Sequence, residues 1–432
     1  LHPRVRRQRQ MCIRDRKDRG EFMSLLAERS IIKEDKSNII TLGAIAKEMK
    51  QKDSSVINAT IGMLYDEKGK LFTFQSVDKA LRELTPEEKY AYASTPGGAN
   101  FHEALKRWIF REYYDEFMNH TYVGVMATPG GSGAISNTFT NYLNEGDTVL
   151  LPSYMWGNYK QFAYENHAEY LTYDLFDSRG GLNLEDIHSK MLLLKQKQHR
   201  ILLVINDPCQ NPTGYTMTDK EWTALVAMIN EVSQDGTPVI LLHDMAYIDY
   251  DSRGFAATRA NIRLYQKFND SVLAIMAFSG SKTLALYGVR VGAMVAVSKN
   301  KAHIDDFNRA NKFSSRAKWS NTTNLGMNLV AKVILDKEMR KAFEDELEES
   351  RQTLITRANT FLKACDEAGL ETLPFQCGFF ITIPCENADE VYHRLVERKI
   401  HIIPMGNVLR VTIAAITIAE CAYLPKIIKE CI

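Results

Sequence analysis

Four stretches of the chain carry side chains able to do chemistry, and each follows an apolar, strand-like run. SGSK at 279–282 sets Lys282 just past such a run and eight residues before Arg290. A lysine is seldom buried unpaired. Desolvation or a neighbouring cation lowers its pKa and makes its amine a nucleophile suited to a Schiff base. PVILLHD ends on Asp244, and Tyr247 follows in DMAY. The carboxyl ends of parallel strands are where α/β sheets place ligands. A carboxylate there can pair with a protonated ring nitrogen, and a phenol can donate to a ring oxygen. NDPCQNPTG at 206–214 combines a turn signal with Asn211, whose amide can reach an oxygen on a bound ring. TPGGSGAI at 128–135 is a strand–glycine–helix junction, where backbone N–H groups can approach an anion at the helix N-terminus. Ser279 and Arg290 would complete such a cradle, the arginine binding in bidentate fashion. Singly, each stretch has a plain structural explanation: a snorkelling lysine, a capping aspartate, a tight loop, an empty glycine turn. Their order along one sheet is the specific signal.

The elements that must position these residues read as alternating strands and helices from Tyr122 onward. Runs bounded by Gly, Pro or Asp occur at 122–127, 148–152, 200–206, 238–244, 271–279 and 290–298, with helical patterns at 134–143, 184–195 and 220–232. Several runs are continuously apolar and β-branched, as strands covered on both faces should be. The pattern predicts an α/β domain with a mostly parallel sheet sandwiched by helices. From about Leu325 the texture changes to a long charged amphipathic helix followed by short strands, a smaller α+β domain. The expected boundaries are a basic extension at 1–22, non-native or disordered; an N-terminal part of the small domain at 23–75; a large domain at 76–325; and the C-terminal small domain at 326–432.

The 432 residues are 45% hydrophobic and 25% charged, with a formal net charge of +1. That is globular composition, with no overall electrostatic reason to bind nucleic acid. The first 22 residues hold eight Arg/Lys and three Asp/Glu; without them 46 basic residues face 50 acidic ones. This stretch reads as a foreign segment and not as part of the fold. No apolar run approaches the ~20 residues that cross a bilayer. Seven cysteines form no CxxC pair, which argues against a disulfide framework and a zinc site and for reduced thiols in the cytoplasm.

With its motifs in this order, the chain resembles the class I aminotransferases of the pyridoxal-phosphate fold-type-I superfamily. The aspartate/aromatic amino acid subgroup is nearest, and the resemblance runs from about Leu42 to the C-terminus. It implies that Lys282 holds pyridoxal 5'-phosphate and moves the substrate proton, and that Asp244 keeps the ring nitrogen protonated. Asn211 and Tyr247 would bond the ring oxygen. Gly131, Ser132, Ser279 and Arg290 would form the phosphate cup, completed by Tyr92 from a second subunit. Tyr154 would stack on the ring, with Trp156 its competitor. Arg410 in VLRVTIA would bind the substrate carboxylate, since an arginine in an apolar strand must find an anion; pairing with a carboxylate of the protein is the rival. Gly62 and Phe380 match pocket walls. Arg316 in SSRAKWSN matches an arginine that crosses the dimer to a distal carboxylate. The partners implied are amino acid and 2-oxo acid substrates and a second copy of the chain, with no metal, nucleic acid or membrane.

Two positions depart from the family pattern. Gln210 stands where a histidine usually precedes NPTG, and Tyr159 stands for the histidine that supports the ring-pairing aspartate. Two other functions compete: a β-lyase or decarboxylase using the same cofactor, and a regulatory binding module with an aminotransferase-like body. The residues ahead of the matching region hold no convincing two-helix DNA reader.

Overall fold

The computed structural model describes residues 24–31, 33 and 39–432. The expectation for residues 1–22 lies outside these. The chain divides into two units, 1–38 and 39–432; the first contains the short helix Glu28–Ile31. The second unit contains all the strands of the described residues.

Its strands are β1 (Ile57–Asn58), β2 (Tyr122–Pro129), β3 (Thr148–Pro152), β4 (Glu169–Tyr173), β5 (Ile201–Asn206), β6 (Val239–Asp244), β7 (Val272–Ser279), β8 (Val291–Ser298), β9 (Phe380–Pro384), β10 (Ile400–His401), β11 (Ile403–Met405) and β12 (Val408–Thr412). Seven of them form the main sheet in the order β2-β8-β7-β6-β5-β3-β4. Neighbours from β7 to β4 run parallel, and β8 is antiparallel to both β2 and β7. The six runs expected as strands are all present. β5, β6, β7 and β8 are buried at every position, as helices on both faces require. β4 was not foreseen: it is an edge strand, EYLTY, with Glu169 and Tyr170 exposed.

The expected helices appear as Gly130–Tyr142, Leu184–Lys197 and Asp219–Ser233. The last begins on a capping box: the Thr218 hydroxyl accepts from the Glu221 N–H, and the Glu221 carboxylate accepts from the Thr218 N–H. The charged pattern near the C-terminal end forms the 32-residue helix Lys337–Ala368. It starts on Asp336, whose side chain caps two N–H groups, and stops at Gly369 in the left-handed conformation. This helix spans two cores. Phe343 and Leu347 enter the one around the main sheet, while Ala358, Phe361 and Cys365 enter another around the antiparallel sheet β11-β12-β9.

Register explains why the chemistry gathers at one edge. Asn206, the last residue of β5, pairs with Asp244, the last of β6, which pairs with Ala277 near the end of β7. Ser279 pairs with Gly292, and Pro129 with Val291, so Gly130, Ser279 and Arg290 share that edge. Among the described residues no helix is long and apolar enough to cross a membrane.

Candidate active site

Lys282 rides on the four-residue helix Gly280–Thr283 that follows β7. Its Nζ donates to the carbonyl of Gly62. The rings of Tyr287, Phe379 and Tyr247 surround that nitrogen at 4.9, 5.3 and 5.5 Å. Burial, with the charges of Arg410 and Arg290 adding to it, pushes the amine down to about 7. A substantial fraction is therefore neutral and nucleophilic near neutral pH.

Asp244 is buried and meets no cation of the chain among the described residues. Its Oδ2 accepts from the Tyr159 hydroxyl at 2.6 Å and its Oδ1 from the Ala246 N–H at 3.2 Å. Burial raises its pKa, and these two bonds oppose the rise. Tyr159 is fully buried and held well above the usual phenol range by desolvation, then by the Asp244 charge, so it is a fixed donor. A carboxylate held this way has room for one cationic partner, which suits a protonated ring nitrogen.

The residues expected to form a phosphate cup gather around the N-terminus of the helix Gly130–Tyr142, which has no side-chain cap. A Cβ on Gly130 would sit 2.7 Å from the Arg290 guanidinium, and one on Gly131 would sit 3.3 Å from Ser279. At 130, where φ is +69°, a glycine both takes the left-handed backbone and leaves room for that guanidinium. Arg290 donates to Ser281 Oγ at 3.1 Å and to the Tyr287 carbonyl at 3.0 Å. Free N–H groups, hydroxyls and one arginine converge there, which is the donor set a phosphate takes.

Arg410 lies in the middle of β12 and is buried, yet no carboxylate of the described residues pairs with it. It donates to the Thr60 carbonyl at 2.8 Å and to Asn211 Oδ1 at 3.3 Å, and its Nε has no partner. The rival expectation, an internal ion pair, finds no carboxylate partner among the described residues. The ring of Phe380 lies 4.6 Å from the guanidinium, and a Cβ on Gly62 would meet Phe380 at 2.8 Å and Lys282 Nζ at 3.5 Å. Gly62, Phe380, Asn211, Lys282 and Arg410 thus share one wall. Tyr247 packs beside them, 5.9 Å from Phe380.

The other expected residues have neighbours of their own. Tyr92 is 95% exposed. Arg316, in the last turn of the helix Lys301–Lys318, donates to Ser320 Oγ at 2.5 Å and pairs with no carboxylate of the described residues. Thr95 Oγ1 bonds the Ser320 carbonyl at 2.9 Å, so the Tyr92 and Arg316 segments adjoin. Ser132 is on the first turn of the glycine-led helix. The Tyr154 ring lies 6.0 Å from Phe176, and its carbonyl accepts from Gln210; the Trp156 ring lies 5.8 Å from Tyr159. Sequence reasoning missed Asn206, which bonds both the Asn211 N–H and the Asp244 carbonyl, and missed Ser281. Asn206 closes NDPCQNPTG on itself, a role no local pattern announces.

The profile of the family "Aminotransferase class I and II" matches residues 54–428. The chain belongs to this family. It is thus an enzyme of the aminotransferase class. It is 26% identical to the aspartate aminotransferase of Escherichia coli strain K12 over 317 residues, 72% of this chain and 77% of that one. It is 25% identical to the tyrosine aminotransferase of Rhizobium meliloti over 394 residues, covering 89% and 95%. A solved aminotransferase from Anaerococcus prevotii superposes with a TM-score of 0.90 at 28% identity, over 94% of this chain and 99% of that one. The aromatic-amino-acid aminotransferase of Burkholderia pseudomallei, solved covalently bound to pyridoxal phosphate, shares the fold with a TM-score of 0.78 at 22% identity, covering 95% and 100%. The α/β architecture of this aminotransferase is therefore the one those enzymes use.

Proposed function

We propose that this aminotransferase uses pyridoxal 5'-phosphate to move an amino group from aspartate, an aromatic amino acid, or both, to 2-oxoglutarate in a ping-pong cycle. The observation that carries this reading is Arg410, a buried guanidinium with no counter-ion among the described residues, on the same wall as the enclosed amine of Lys282. The cofactor, when bound, supplies an electron sink for the bond broken at the substrate's Cα. Arg290, Ser279, Ser132 and the N–H groups at Gly130 and Gly131 hold its phosphate. Asp244 keeps the proton at the ring nitrogen, and Asn211 and Tyr247 bond the ring oxygen. Arg410 takes the substrate's α-carboxylate and so aims Cα at Lys282, whose amine accepts the proton and returns it. Trp156 is the better candidate than Tyr154 to stack on the ring, because it adjoins the tyrosine that carries Asp244.

A homodimer with shared sites fits the exposed aromatics Tyr90, Tyr92 and Phe313, the last one helical turn before Arg316. Tyr92 would reach the partner's phosphate cup, and Arg316 the distal carboxylate of a substrate there. The six cysteines among the described residues are free and buried, which fits a reducing cytoplasm.

The test is a donor panel with 2-oxoglutarate on wild type and Arg316→Ala. Aspartate turnover is expected to fall by about a hundredfold, in the range for truncating one partner of a desolvated charge pair, while aromatic donors keep most of theirs. Equal losses, or none, remove the dicarboxylate assignment. The Lys282 amine gives a second expectation. Capture of added pyridoxal phosphate by the cofactor-free protein should accelerate as pH rises through about 7 and level off above, because the neutral amine is the reactive form. A rise that continues to pH 10 would mean an ordinary surface lysine.

A further inference from the structure

Behind the site lies a buried, charge-neutral cluster that the reaction as described does not use. Asp249 is its centre. Its Oδ1 accepts from Arg259 at 2.7 Å; its Oδ2 accepts from the Trp108 indole at 3.1 Å and the Thr283 hydroxyl at 2.7 Å. Each of the four side chains is 1% exposed. Trp108 belongs to the helix Ala99–Phe110 and Arg259 to the helix Phe255–Arg263, so two core helices fix the carboxylate. The carboxylate in turn fixes Thr283, the residue after Lys282. A second bond from the same segment reaches the lysine's own backbone, where the Tyr250 hydroxyl donates to the Lys282 carbonyl at 3.2 Å.

These bonds matter because of what carries the lysine. A single helical turn has almost no cooperative stability of its own, so its orientation is set by tertiary contacts. A threonine in a helix commonly bonds a carbonyl one turn back. Thr283 instead reaches a carboxylate 34 positions away. The segment from Asp244 to Tyr250 thereby holds both the groups that would face the cofactor ring and the backbone that presents the amine.

We propose that Asp249, acting through Thr283 and joined by Tyr250, is a positioning device that fixes where the Lys282 amine can reach. This rests on reading Lys282 as the residue that holds the cofactor.

The test compares Thr283→Val, which keeps the shape and removes the donor, with Thr283→Ser, which keeps the donor. Each cofactor-free protein is mixed with pyridoxal phosphate, attachment is followed by absorbance, and the attached lysine is mapped after borohydride reduction. Thr283→Val should capture the cofactor about tenfold more slowly or worse, as sub-ångström misplacement of a reacting group predicts, with Thr283→Ser within about twofold of wild type. In the loaded enzymes the Val variant should lose kcat with KM for the amino donor unchanged. A wild-type capture rate in Thr283→Val, or equal impairment of both variants, overturns the proposal. Should Thr283→Val fail to fold, Tyr250→Phe is read the same way: slower capture supports the device, and a wild-type rate overturns it. Label on another lysine removes the Lys282 reading itself, whereas label at Lys282 with undiminished rate removes only the positioning role.

Discussion

Lys282→Ala is expected to abolish covalent capture of pyridoxal phosphate and to lower transamination by on the order of 10⁴-fold. The residue would serve twice, as the anchor of the cofactor and as the group that moves the Cα proton. Losing a positioned acid/base alone costs about 10²–10⁴ in rate. The fold should survive, because the amine is a desolvated group whose recorded bond is to one backbone carbonyl. The pH dependence of stability separates this from a folding defect. Burial holds the amine down to about 7 in the folded protein, whereas in the unfolded chain it returns to its ordinary value of 10.5. Below about pH 7 both states hold the proton, and the folded state bears the full cost of burying it. Between about 7 and 10.5 the unfolded chain holds a proton that the folded chain has released, so the stability of the cofactor-free wild type rises with pH. Lys282→Ala lacks that rise. Denaturant midpoints measured for both proteins across this window should converge or cross as pH increases. Parallel curves would mean that the amine is not buried as described, and retained borohydride labelling would remove it from the anchor role.

What the sequence made legible and what it hid differ in physical kind. The strands β5 to β8 could be read because burial on both faces leaves continuous apolar runs, a signal local to each segment. β4 escaped because an edge strand with an exposed face needs no such run: Glu169 and Tyr170 contribute polarity where a core strand would show valine. Lys282, Asp244 and Arg410 stood out because a charge beside or inside an apolar strand is costly unless it meets something. What each meets was not legible. Lys282 bonds Gly62 across 220 positions, and Arg410 bonds Asn211 across 199. That Arg410 meets no carboxylate among the described residues depends on the fold around it, not on its own segment. Asp249 and Thr283 were invisible for the same reason, since one buried carboxylate joins residues from three separate helices and no motif marks them. The neighbour of Trp156 is local by contrast: Tyr159, three positions on, donates its N–H to the Trp156 carbonyl, and the two rings lie 5.8 Å apart.

Asp244→Ala should weaken cofactor binding by about two to four orders of magnitude and leave little transamination. Breaking a buried pair by removing one partner costs about 3–5 kcal/mol, which at ~1.4 kcal/mol per decade gives that range. The loss of turnover should exceed the loss of binding. The carboxylate would not merely hold the ring nitrogen; it would keep a proton on it, and without that charge the electron pair freed at Cα is poorly accommodated. Tyr159→Phe grades the argument. It leaves Asp244 in place with the Ala246 N–H bond and removes one short donor to an ionised group, worth about 1.5–3 kcal/mol. Burial would then raise the carboxyl pKa further with less to oppose it. Because that pKa already lies above its ordinary value, activity in the Phe variant should fall off at a higher pH on the acid side than in wild type. The expected order is therefore wild type, Tyr159→Phe, Asp244→Ala, in both cofactor affinity by equilibrium dialysis and kcat, with the acid limb moved only where the carboxylate remains. An unmoved acid limb in Tyr159→Phe would mean that the tyrosine packs against the aspartate without controlling its charge. Wild-type cofactor affinity in Asp244→Ala would mean that this carboxylate does not face the ring at all.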